Sequence, residues 1–111
     1  HRADVSPANI LARADEIRAT VERTGLAVIA FAPRASIGED SLIDHLFEAA
    51  RTINADNQPM IRIGAPRHDR TQPYMPQFDE ARAGFARVAD RARSAGVKVL
   101  YEIHVGTVAV R

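Results

Sequence analysis

The sequence predicts an α/β fold of about three αβ units whose strands run parallel. Three observations lead there. Amphipathic helical patterns alternate with short apolar runs along all 111 residues, the order that builds a parallel sheet through helical crossovers. The apolar runs begin near residues 26, 60 and 97, a spacing that suits one helix, one strand and their connections. The connections into the strands are tight, whereas those leaving them are long and polar.

The elements follow in order. Ser6 and Pro7 read as a helix start, with a capping hydroxyl and a proline at the first helical position. Ile10, Leu11, Ala14, Ile17 and Val21 continue at helical spacing, and Gly25 is the stop. Residues 26–32 are a continuous apolar run too short for a helix. Such a run fits a strand buried on both faces. Residues 33–39 read as loop. A second helix begins near Asp40 or Ser41 and aligns Leu42, Ile43, Leu46, Phe47 and Ala50 on one face. A polar turn at 54–58 leads to a second strand at 60–64. Residues 66–76 read as a long polar loop with three prolines. The third helix is expected over 77–95, with Phe78, Ala81, Phe85, Val88, Ala89 and Ala92 inward and Gly96 as its stop. The third strand is expected over 97–104, and Gly106-Thr107 opens a further loop or helix.

Composition narrows the function. Hydrophobic residues at 46% and charged residues at 26% describe a globular protein rather than a disordered tail. No apolar run reaches the roughly 20 residues of a membrane span. The absence of cysteine removes disulfides, thiolate metal sites and cysteine nucleophiles. Fifteen basic side chains against 14 acidic give a net charge of +1, which offers no electrostatic case for nucleic acid or an anionic membrane. No signal peptide is evident, and a cytoplasmic location is expected. Both ends, His1 and Arg111, read as cuts, so the chain is expected to be a piece of a longer polypeptide. Phosphate-loop, dinucleotide, nucleophile-elbow and zinc-protease patterns are absent.

In parallel α/β folds ligands bind at the carboxyl ends of the strands. Residues 33–39, 65–76 and 102–107 occupy that end. Strand side chains alternate in direction, so Leu100, Glu102 and His104 share one face, and Val99, Tyr101 and Ile103 share the other, which packs on helices. In the second strand Ile61 and Ile63 face the helices, and Arg62 shares the opposite face with Gly64. An arginine inside a sheet needs a partner. Arg62 pairs with Glu102 if the strands are adjacent, or with a group outside this sequence. Glu102 is therefore either a buried carboxylate paired with Arg62, or a metal ligand or acid/base group. His104 is either a hydrogen-bonded loop histidine or a contact to ligand or substrate. His68, beside Arg67, Asp69 and Arg70, is either solvated charge or part of a lid over an anionic or polyol substrate. His45 reads as surface.

Residues 82–107 resemble the sugar phosphate isomerase/epimerase family, the xylose isomerase-like barrels. The resemblance lies in Phe85-Ala86-Arg87-Val88-Ala89-Asp90-Arg91-Ala92, in Ser94-Ala95-Gly96-Val97, and in a strand ending Glu102-Ile103-His104-Val105-Gly106-Thr107. Gln77-Phe78-Asp79-Glu80-Ala81, Thr24-Gly25-Leu26-Ala27-Val28 and Ile61-Arg62-Ile63-Gly64 are similar to that family as well. The Glu-x-His-x-Gly-Thr end is its most specific part. The resemblance implies a partial (β/α)8 TIM barrel over residues 1–111, with open sheet edges and an uncovered inner face. It implies that Glu102 is a ligand of a divalent metal ion (Mn, Mg, Co or Zn) and one of two carboxylates that move a proton beside a carbonyl. It implies that His104 faces substrate and that Arg62 lies inside the barrel. The remaining ligands it implies, an aspartate, a histidine and a second glutamate, come from later strands.

The function expected is metal-dependent isomerisation or epimerisation of a sugar, sugar phosphate or related polyol, with the piece itself inactive. Glu102 carries the chemistry and holds the metal, and His104, Arg62 and His68 contact substrate. The open edges make a homo-oligomer an option. Dehydration of a polyol by the same kind of barrel is an alternative, and so is a non-catalytic α/β regulatory or interaction module. A DNA-repair endonuclease of the same barrel family fits less well, because no basic stripe runs through the sequence.

Overall fold

The computed structural model describes residues 5–109, so His1 and Arg111 lie outside the described residues. The order is α1 (Ala14–Thr24), β1 (Ala30–Phe31), α2 (Asp40–Ile53), β2 (Met60–Arg62), α3 (Tyr74–Ala95) and β3 (Lys98–Leu100). The strands form one parallel sheet in the order β1-β2-β3. Strands that follow one another in the chain are therefore neighbours in the sheet, and the order nowhere reverses.

The register sorts the side chains into two faces. Phe31, Ile61 and Val99 lie in one row across the three strands. This row faces the helices and packs with Ile43, Leu46, Phe47, Val88 and Ala92. Ile43, Ile61 and Ile63 are fully enclosed. A smaller cluster, with Ala14, Ala49 and Ile53 at its centre, joins α1 to α2. On the other face Ala30, Lys98 and Leu100 are exposed, and Met60 and Arg62 are half-buried. The core is thus a one-sided layer of helices on a sheet, with its second face open.

The helix stops fall where the glycines predict. Gly25 and Gly96 have φ of 71° and 72°, the left-handed region that L side chains avoid. The Gly96 N–H donates to the carbonyls of Ala92 and Arg93 and closes α3.

Four expectations need correction. Regular helix begins at Ala14, not at Ser6-Pro7, and residues 7–13 run as successive turns. The Ser6 N–H donates to Asn9 Oδ1 at 2.8 Å, and the Arg13 N–H is shared between the carbonyls of Asn9 and Ile10. Local side-chain bonding of this kind competes with the regular ladder. The first strand is two residues long, and the run 26–32 is not buried on both faces: Leu26 and Ile29 are 72% and 75% exposed. Among the described residues β1 is an edge strand with a partner on one side only, which leaves the other side of that run uncovered. The third strand ends at Leu100, which leaves Glu102 and His104 in the segment after it. Ile103, expected against the helices, is 71% exposed. Finally, α3 starts at Tyr74 rather than Gln77. Pro76 sits within its first turn, where a missing N–H costs no intrahelical bond.

No helix among the described residues is long and apolar enough to cross a membrane.

Candidate functional site

The loops that leave the strands are stitched together by backbone bonds. After β1, the chain at 35–37 runs along Gly64: the Gly64 N–H donates to Ala35 O at 2.8 Å, and the Ile37 N–H donates to Gly64 O at 3.1 Å. The Ser36 hydroxyl donates to the same Gly64 carbonyl. Its own N–H is taken by Glu39 Oε2 at 2.7 Å, which shapes the entry to α2. After β2 and β3, residues 66–68 and 106–108 pair antiparallel around Arg67 and Thr107. The His68 N–H donates to Gly106 O at 2.8 Å, and the Val108 N–H to Pro66 O at 3.1 Å. Tyr74 Oη donates to Val108 O at 2.8 Å. Thr107 Oγ1 donates to His104 O and lies 3.1 Å from Tyr101 Oη. Gln77 anchors the other end of this loop: its amide bonds Asp69 N and the carbonyls of Asp69, Gln72 and Pro73.

These loops border a cleft of about 560 Å³ at the carboxyl end of the sheet, a size suited to a small molecule. Arg62, Glu102 and His104 all line it. Arg62 Nη1 donates to Glu102 Oε2 at 2.7 Å. His104 Nε2 is 3.5 Å from the same oxygen. The ion pair expected from strand alternation is present, but it is not buried. Arg62 is 36% exposed and Glu102 58%, because the face of the sheet that carries them is open.

The electrostatics follow from that geometry. The hydrogen bond from Arg62 holds the Glu102 carboxyl below the ordinary carboxylate value, and electrostatic attraction to the neighbouring His104 adds to this. The folded pKa is lower than the unfolded one. The ion pair therefore stabilises the fold at pH values above the unfolded pKa, and that contribution fades as pH falls through the folded value. Carbon-13 NMR of the Glu102 carboxyl is expected to give a titration midpoint below that of an ordinary glutamate. Arg62→Met is expected to raise it.

His68 is not brought to this cleft. Its ring is half-buried and packs edge-on against Tyr74, with centroids 5.2 Å apart. Arg34, Ser36, Glu39 and Arg67 line the cleft as well, although none of them is a site residue expected from the sequence. Their place on the loops at the carboxyl ends of β1 and β2 was the signal that could have found them. A second hollow of about 630 Å³ lies on the helical side between α2 and α3. There Arg91 is engaged by Asp40 and by Asp44, the latter at 2.5 Å.

Glu102 and His104 are a carboxylate and an imidazole side by side, donors that suit a divalent cation. Glu102 Oε1 carries no hydrogen bond among the described residues. No group of three or more His, Cys, Asp or Glu side chains that could hold a metal ion occurs among the described residues. The pair therefore fits part of a metal site and needs ligands from beyond itself.

Comparison of the chain with family models, curated proteins and solved structures finds no match. The isomerase/epimerase resemblance thus rests on the residues that carry it.

Proposed function

We propose that this chain is part of a (β/α)8 barrel that isomerises or epimerises a sugar or related polyol by moving a proton beside a carbonyl. The observation that carries this reading is the convergence of Arg62, Glu102 and His104 on one cleft at the carboxyl end of a parallel sheet. The sheet order is compatible with the barrel. Strands added one after another, with helices on a single face, occur in a barrel and equally in one half of a doubly wound sheet. The open second face, with Arg62 on it, corresponds to a barrel interior.

In this reading Glu102 and His104 would hold a divalent ion together with ligands from elsewhere. When bound, such an ion supplies Lewis-acid polarisation of the substrate carbonyl. The chain's own residues do the rest. Arg62 keeps the Glu102 carboxylate ionised and fixes its direction. A carboxylate held below its ordinary pKa is a better ligand than base, since a general base works best with a pKa near the operating pH. Glu102 is therefore a ligand first, and the proton acceptor is the second carboxylate that the resemblance implies. His104 lies beside Glu102 at the cleft, where it can donate a hydrogen bond to a substrate hydroxyl.

The test is a panel of aldoses, ketoses and cyclic polyols incubated with the purified protein and a divalent ion, with products separated by chromatography. Interconversion of an aldose and a ketose, or of two epimers, that stops on chelation is expected. Loss of water from a cyclic polyol without isomerisation would assign the dehydratase reaction instead. A protein that retains neither reaction when the whole polypeptide is used would be left as an interaction module. The exposed apolar residues Leu26, Ile29, Leu100, Ile103 and Val105 favour that second reading.

A further inference from the structure

Two charged side chains of the cleft remain outside this account. Arg34 lies in the loop after β1 and Arg67 in the loop after β2, and both line the space that holds Arg62, Glu102 and His104. Of the other charges there, Arg62 is matched by an ion pair with Glu102 at 2.7 Å, and Glu39 is engaged by a backbone N–H, that of Ser36. Neither Arg34 nor Arg67 has a hydrogen bond or ion pair from its guanidinium among the described residues. Arg51, Arg70 and Arg87 also lack an ion pair among the described residues, so an unmatched guanidinium decides nothing alone. What sets Arg34 and Arg67 apart is that two separate loops bring them to the cleft that holds Glu102, with Arg67 also bordering a neighbouring hollow beside Glu80 and Arg87.

We propose that Arg34 and Arg67 form a carboxylate-binding subsite, and that the ligand of the cleft is a polyhydroxy acid rather than an uncharged polyol. This rests on the polyol reading above and narrows it. Guanidinium forks match the planar oxygens of a carboxylate. The charge count points the same way. Three arginines face two glutamates in the lining, so with His104 counted as neutral, as in the formal net charge, one negative charge brings it to neutrality. A phosphate group carries about −1.5 to −2 at neutral pH and overshoots. Phosphate sites also draw on free N–H groups at helix starts. Here the start of α2 carries Glu39 and Asp40, and Glu39 already takes the Ser36 N–H.

The test is isothermal titration of the EDTA-treated protein, at low ionic strength, with three probes: gluconate, its uncharged counterpart glucitol, and inorganic phosphate. Gluconate is expected to bind at least about tenfold more tightly than glucitol, the order of one charge-assisted pairing, and more tightly than phosphate. Arg34→Ala with Arg67→Ala is expected to erase the preference for gluconate. Both residues are exposed, and circular dichroism checks that the double variant stays folded. Arg34→Lys with Arg67→Lys keeps the charge but not the fork and is expected to recover part of the preference. Equal binding of gluconate and glucitol, binding of neither, tighter binding of phosphate, or a preference that survives the double alanine variant would each overturn the proposal. Because no turnover is read, the two proposals fail separately. A gluconate preference without any isomerase activity retires the reaction and keeps the subsite. Isomerisation of neutral polyols without a gluconate preference retires the subsite alone.

Discussion

Glu102→Gln is expected to lower isomerase or epimerase turnover by about 10²-fold or more, since even groups that only orient a metal ligand are worth about 10–100-fold, while leaving the protein folded. The substitution keeps the shape of the side chain and removes its charge. It takes away the anionic donor for a divalent ion and leaves Arg62 with a neutral acceptor. The fold has little at stake, because Glu102 lies after the last strand residue and is more exposed than buried. Circular dichroism and the urea midpoint should therefore stay near those of the parent. Glu102→Asp keeps the charge one carbon further back and should retain part of the activity. Full activity in Glu102→Gln would remove this residue from the mechanism.

Phe47→Ala is expected to have the largest effect on stability, about 3–5 kcal/mol. Phe47 is 2% exposed and sits in the main core with Ile43, Leu46, Ile61 and Val88. Its ring fills the space between α2 and the helix-facing row of the sheet. Truncation leaves a cavity that a thin, one-sided layer has few other groups to refill. A domain of this size holds about 5–15 kcal/mol in total, so the variant should sit near the edge of folding. The urea midpoint should fall with an unchanged slope. By contrast, Leu26→Ala and Ile29→Ala should cost little, since both side chains are mostly exposed. A Phe47→Ala protein as stable as its parent would mean that the core lies elsewhere.

Much of this architecture is legible in the sequence, for reasons that can be traced residue by residue. Alternating apolar patterns are local signals, and they locate all three helices and the order of the strands. The period of two puts Arg62 and Glu102 on one face, so the sequence makes them partners if their strands are adjacent, and the sheet order meets that condition. Burial was harder to read. The apolar run at 26–32 and Ile103 look like core in sequence, yet the sheet edge and the open face leave Leu26, Ile29 and Ile103 exposed. Periodicity reports which residues share a face. It does not report whether anything covers that face. The start of α3 was hidden by Pro76, which reads as a breaker although the first turn tolerates it. The antiparallel bridge of Arg67 with Thr107 joins two loops about forty residues apart. No local pattern encodes it. It also explains why His68 turns toward Tyr74 while its neighbour Arg67 lines the cleft.

Proton transfer beside a carbonyl leaves a mark that no binding assay can imitate. Incubation of the whole polypeptide with its best polyol substrate in heavy water, with a divalent ion present, tests the central claim most directly. Proton NMR is expected to show deuterium entering at the carbon next to the carbonyl, at a rate that Glu102→Gln lowers as it lowers turnover. Product formed without deuterium at that carbon would mean either a hydride shift or a proton shielded from solvent. Deuterium entry undiminished in Glu102→Gln would contradict the account, because the cleft around Arg62, Glu102 and His104 would then not be where the chemistry occurs.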